Sequence, residues 1–154
     1  MNRREALKAG GGAGVVALAL AAGLLKPEDV FAADWNKAAF ETRSVAETVK
    51  ALGGGGSTPS GAIEITGPDI AENGAVVPIA VESRLPRTQA IAILIEKNPN
   101  TLSAEFDIPA GTDPFVSTRV KMAETSNVYA IVIADGKYFH AMKEIKVTIG
   151  GCGG

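Results

Sequence analysis

Short runs of aliphatic and β-branched residues, separated by turn-forming residues and not by helical segments, predict an all-β domain over residues 57–149. Two of these runs alternate apolar and polar residues as strands with one wet face do, and a third is apolar throughout. Together they predict an immunoglobulin-like antiparallel β-sandwich, preceded by one amphipathic helix and followed by a flexible Gly-Gly-Cys-Gly-Gly tail. The cysteine pair and core tryptophan of antibody domains are absent. The same pattern also allows an up-and-down barrel.

Residues 1–32 read as an address and stand outside the fold. Arg3, Arg4 and Lys8 precede a weakly hydrophobic run from Gly10 to Leu25, which at about 16 residues is short of the roughly 20 needed to span a bilayer. Val30-Phe31-Ala32 places small residues where a signal peptidase requires them, so the cut is expected after Ala32. The pair Arg3-Arg4, followed by Leu7 and Lys8, resembles a twin-arginine signal, which implies export in the folded state and a periplasmic location. No stable membrane insertion is expected after processing; a retained membrane anchor is the competing reading.

Residues 33–56 come next. Trp35, Ala39, Phe40, Val45, Val49 and Leu52 recur at approximately helical spacing, with Lys37, Glu41, Arg43, Glu47 and Lys50 on the other face. Asp34 is placed to cap this helix and Gly53 to end it. The run from Gly53 to Pro59 carries too much backbone entropy to form an element and reads as a flexible link.

The expected strands are Ala62–Thr66, Val76–Ser83, Ala90–Glu96, Ser103–Ile108, Val116–Met122, Val128–Ala134, Tyr138–His140 and Met142–Ile149. In the last, Ile145, Val147 and Ile149 fall on one face, and Val116, Val120 and Met122 do the same in the fifth. Val128–Ala134 is apolar throughout, as a central strand is. Asp135-Gly136 is a strong hairpin turn, and Lys97 to Asn100 marks another reversal.

Composition narrows the function. The chain carries 15 basic and 17 acidic residues, and without residues 1–32 these become 11 and 14, a net charge of 3 negative. No basic stripe is present, which argues against nucleic acid as a partner. There is one histidine, His140, so any triad or Cys-His pair would have to be built on it; its plain reading is a surface or half-buried side chain. No cluster of cysteines and histidines suggests a metal, no cofactor motif is found, and no catalytic residue is assigned. Glu105 and Asp107 share one side of a strand, as solvated carboxylates commonly do. The glycines at 53–56 lack the lysine and serine of a phosphate loop.

What remains is the segment 150–154, Gly150-Gly151-Cys152-Gly153-Gly154, where the chain loses every side chain except one thiol. Glycine makes such a segment mobile and thin, and five extended residues reach roughly 17 Å. Cys152 is the only cysteine, so it has no internal disulfide partner. With no cation beside it, its thiol is expected near the free value of about 8.5, mostly protonated at neutral pH, so its activation is left to whatever enzyme receives it. This favours covalent attachment of a carried group at Cys152, with Gly150, Gly151, Gly153 and Gly154 as the flexible arm.

With its twin-arginine type signal, first helix, all-β domain and terminal G-G-C-G-G after the strand Lys143–Ile149, the chain resembles the SoxY family, the sulfur-carrier subunits of the bacterial Sox thiosulfate-oxidising system. The resemblance implies that Cys152 carries sulfur intermediates and that the protein is a carrier, not an enzyme. It further implies a SoxZ partner in a heterodimer and transient contacts with SoxAX, SoxB and, in some organisms, SoxCD. Two other readings stand beside it: a periplasmic binding or assembly module with an intermolecular disulfide at Cys152, and a thiol enzyme using His140 as base.

Overall fold

The computed structural model describes residues 36–150. The calls on residues 1–32, Asp34 and Trp35, and those on Gly151, Cys152, Gly153 and Gly154, lie outside the described residues.

Two short helices, α1 (Lys37–Phe40) and α2 (Val45–Ala51), stand where one was expected. The break is local chemistry. The Ser44 hydroxyl accepts from the Glu47 N–H at 3.2 Å while the Glu47 carboxylate accepts from the Arg43 N–H at 3.1 Å, a near-reciprocal cap that starts a new helix. Asn36 caps α1 and its amide also donates to the Ala51 carbonyl at 2.9 Å, tying the start of one helix to the end of the other. Gly53 ends α2 as expected, with φ at +95°, a conformation that favours glycine.

The expected flexible link after Gly53 is packed at its start, while Gly55 and Gly56 stand in open space. A Cβ on Gly54 would lie 2.9 Å from both the Tyr138 ring and Val49, and the Tyr138 hydroxyl donates to the Leu52 carbonyl at 2.6 Å. The helices therefore belong to the same compact unit as the sandwich.

Nine strands follow: β1 (Thr58–Pro59), β2 (Ile63–Thr66), β3 (Ile70–Ala71), β4 (Val77–Ser83), β5 (Thr88–Ile95), β6 (Leu102–Asp107), β7 (Phe115–Val120), β8 (Ser126–Ala134) and β9 (Lys137–Val147). They form an all-β sandwich. One sheet runs β1-β9-β8-β5-β6 with β3 also on β9, and the other runs β2-β4-β7. The chain crosses between the sheets repeatedly, after β4, β6 and β7 among other places, which rules out the up-and-down arrangement. Asp135-Gly136 makes the β8–β9 hairpin with both φ values positive, as a two-residue turn of this kind needs. The segments expected at Tyr138–His140 and Met142–Ile149 are one continuous strand that ends at Val147.

The core explains the strand that is apolar throughout. Ile91, Ile93 and Ile95 of β5 and Val128, Ala130 and Val132 of β8 face Val77, Ile79 and Val81 of the opposite sheet. The alternate residues Ala92, Leu94 and Ile131 are buried on the outer face beneath Ala39 and Val49 of the helices. Both faces of β5 and β8 are covered over most of their length, so polar side chains such as Gln89 and Asn127 are found at their ends.

Candidate functional site

Of the five tail residues, Gly150 alone is described, and it shows how the tail is rooted. Thr148 N–H donates to the Ala71 carbonyl at 3.1 Å and its hydroxyl to the Glu72 carbonyl at 2.9 Å. Val147 N–H donates to the Thr125 hydroxyl at 2.9 Å, and the Ile149 carbonyl accepts from Gly74 N–H at 2.7 Å. Gly74 in turn accepts from Met122 N–H at 2.7 Å. The end of β9 is thus held between two loops, residues 72–76 and 121–125. A Cβ on Gly150 would overlap the Ala123 carbonyl oxygen, so this glycine is required by close approach and not only by flexibility. Ala123 is itself fixed, its N–H bonded to the Asn98 side chain, whose amide donates to the Lys121 carbonyl at 2.7 Å.

With Gly150 held, the thiol is two residues from a fixed point. Two residues span at most about 7 Å and the cysteine side chain adds little, so chain length alone limits the reach of the thiol to about 10 Å from Gly150. This is shorter than the reach of the whole five-residue segment. Ile149, expected on the buried face of the last strand, lies past its end and is exposed.

The structure places His140 far from this root. Its Nδ1 lies 2.9 Å from the Ser57 hydroxyl, and its ring is 6.1 Å from that of Tyr129. Seven residues of extended strand separate His140 from Val147, about 23 Å at the usual rise. That is more than twice the reach of the thiol. The histidine instead lines a shallow cleft of about 400 Å³ with Pro59, Ser60, Gly61, Tyr129, Ala141 and Met142. Sequence reading missed this cleft, because it depends on the two-residue strand β1 pairing with β9 at Pro59 and His140.

Glu105 and Asp107 do share a side of β6. Burial holds the Glu105 carboxyl above its usual range, and the neighbouring Asp107 charge pushes it the same way. Lys143, by hydrogen bond and charge, holds the Asp69 carboxyl below its usual range at 2.9 Å. Among the described residues no three His, Cys, Asp or Glu side chains are grouped so as to hold a metal ion. Among them too, no helix is long and apolar enough to cross a membrane.

The described residues thus define a two-sheet β-sandwich protein whose last strand is clamped at its end, and the one cysteine of the sequence follows two positions after Gly150. Comparison with known proteins gives the family. The family described as sulfur oxidation protein SoxY matches residues 49–152, which include Cys152. Among solved structures, the sulfur carrier protein SoxY from Chlorobium limicola f thiosulfatophilum is similar, at 36% identity and a TM-score of 0.64, over 74% of this chain and 100% of that one. No curated protein sequence matches. The chain belongs to the SoxY family.

Proposed function

We propose that this protein is a covalent carrier of sulfur intermediates in periplasmic thiosulfate oxidation. It holds them on the Cys152 thiol and presents them to partner enzymes without catalysing a step alone. The observation that carries this reading is the family match running through Cys152, on a chain whose clamped last strand leaves that residue just beyond a rigid root. The solved relative is named as a sulfur carrier.

The chemistry begins with oxidative coupling. The Cys152 thiol and thiosulfate join through a new S–S bond to give Cys–S–S–SO3−, releasing one proton and two electrons, which a c-type cytochrome complex of the SoxAX kind accepts. Water then attacks the terminal sulfonate sulfur in a SoxB-type hydrolase, releasing sulfate and leaving a persulfide on Cys152. A SoxCD-type enzyme would oxidise that sulfur further. In this scheme a SoxZ-type subunit completes the heterodimer, and export follows the twin-arginine signal at Arg3 and Arg4.

Gly151, Gly153 and Gly154 supply the narrow backbone that lets the thiol enter each active site. The distance of His140 from the arm root supports a carrier over a self-sufficient thiol enzyme. The test is the intact mass of the mature protein from cells grown on thiosulfate, with and without reductant, beside a Cys152→Ser variant. Thiosulfonate or persulfide adducts that vanish with reductant and in the variant are expected. A mass without adducts, or a disulfide dimer alone, would overturn the carrier reading and favour the binding module.

A further inference from the structure

One flank of the sandwich presents two unpaired strand edges. Among the described residues β6 pairs with β5 alone and β7 with β4 alone, so the far edge of each is free. A groove of about 440 Å³ lies between these edges, bordered by Leu102 to Ala104 of β6 and by Thr118 to Lys121 at the end of β7. Every second residue of an antiparallel edge strand turns its N–H and C=O away from its one neighbour, and such groups are a template for another strand.

The side chains of the groove are also unengaged. Asn100, Ser103, Thr118, Arg119 and Lys121 make no hydrogen bond or ion pair with any described residue. The groove is lined by two cations and no carboxylate. Glu124, three positions beyond Lys121, is paired with Lys97 at 3.7 Å. Glu105 of β6 stands opposite Ala92, on the face beneath the helices.

We propose that this flank binds an extended, carboxylate-bearing segment of a partner protein, which adds to the free edge of β7 as a further strand and sets alternate acidic side chains against Arg119 and Lys121. The proposal does not rest on the chemistry at Cys152. Arg119 lies on the solvent side of β7 with Phe115 and Ser117, while Val116 and Val120 are buried. Lys121 follows in the same phase, its carbonyl held by the Asn98 amide at 2.7 Å. Cations two residues apart on one side of a strand meet carboxylates two residues apart on an added one, because both chains repeat every second residue.

That match selects the occupant. A small oxyanion would meet the cations and leave the edge groups open, and a basic segment would be repelled. An acidic strand uses both features, its main chain supplying affinity and its side chains selectivity. The edge is already ordered, since β7 is in register with β4 from Phe115 to Val120, so little has to be fixed on binding.

The test titrates the mature protein with three fluorescent peptides: Thr-Glu-Val-Glu-Val-Glu-Thr, its lysine counterpart Thr-Lys-Val-Lys-Val-Lys-Thr, and the acidic peptide N-methylated at alternate residues. Proteins compared are the native chain, the Arg119→Glu/Lys121→Glu double variant and the exposed control Lys137→Glu. The acidic peptide is expected to bind the native chain and Lys137→Glu alike, and to lose about tenfold or more in affinity for the double variant, with thermal unfolding unchanged. Amide exchange along β7 should slow when it binds, and the lysine and N-methylated peptides should bind at least about tenfold more weakly. Equal binding of the N-methylated peptide would overturn strand addition, and equal binding to the double variant would overturn the role of the cations. Absence of binding by the acidic peptide would overturn the proposal and leave Arg119 and Lys121 as charges that keep a free edge from pairing. Loss of self-association in the double variant would overturn it too, by giving the flank to a second copy of the chain.

Discussion

Ala123 and Gly150 approach so closely that the Ala123 carbonyl oxygen occupies the space a side chain on Gly150 would need. A backbone carbonyl cannot turn away as a flexible side chain can. Gly150→Ala should therefore displace the end of β9, weakening the Gly74–Ile149 bond. Gly61, with open space around it, is the control. Hydrogen exchange at the Gly74 amide is expected to speed up at least tenfold in Gly150→Ala and to stay unchanged in Gly61→Ala.

The helices are fastened to the outer face of the larger sheet by Leu94, fully buried, and by the bond from Tyr138 to Leu52. Leu94→Ala should cost about 2–5 kcal/mol, the range for emptying a core aliphatic site. Tyr138→Phe should cost about 1 kcal/mol, the net worth of one hydrogen bond. Urea unfolding measures both.

Lys143 holds Asp69 ionised to lower pH than an ordinary aspartate. Because the folded value is depressed, the contribution of this pair is present above the unfolded carboxylate value and is lost as pH falls through the folded one. The carboxylate is exposed, so the effect on stability is small, but its titration is readable by NMR. Lys143→Met should raise the Asp69 midpoint toward the ordinary aspartate value; an unchanged midpoint would refute the assignment.

Thr101 is fully buried, and its hydroxyl has no hydrogen-bond partner among the described residues. Its N–H is satisfied by the Thr42 carbonyl at 2.9 Å, so only the hydroxyl is at issue. Replacing an unpaired buried hydroxyl with a methyl group of similar shape removes a desolvation cost. Thr101→Val should be neutral or stabilising by up to about 1 kcal/mol in thermal unfolding.

His140 separates the carrier from the thiol-enzyme reading. It lies about 23 Å along the strand from Val147, beyond the reach of the thiol. His140→Ala should leave tetrathionate loading of Cys152 unchanged in rate between pH 6 and 8. A large drop in that rate would require the histidine to meet the tail.

The strands were legible because alternation is a local signal: β7 and the second half of β9 carry it in their own residues. β1 and β3 were not, since two residues cannot alternate, and both exist only because distant segments pair with β9. The break between the helices had a readable sign in Ser44-x-x-Glu47, masked by the apolar spacing that runs through it. Gly54 looked like slack because its reason, the Tyr138 ring, lies 84 positions away. The thiol at Cys152 stands out without any fold, but the clamp at Gly150 and the exposed Ile149 depend on loops meeting in space.

β9 runs from the Tyr138 contact with Leu52 to the clamp beneath the tail, paired along its length with β8 and, on its other edge, with β1 and β3. A pull applied along the axis of this strand is shared by the whole ladder in shear and does not peel the bonds apart one by one. Under the carrier function proposed above, a partner withdrawing from Cys152 would tug on this strand without unravelling it, and the strand would serve as a tendon that passes traction into the body of the sandwich.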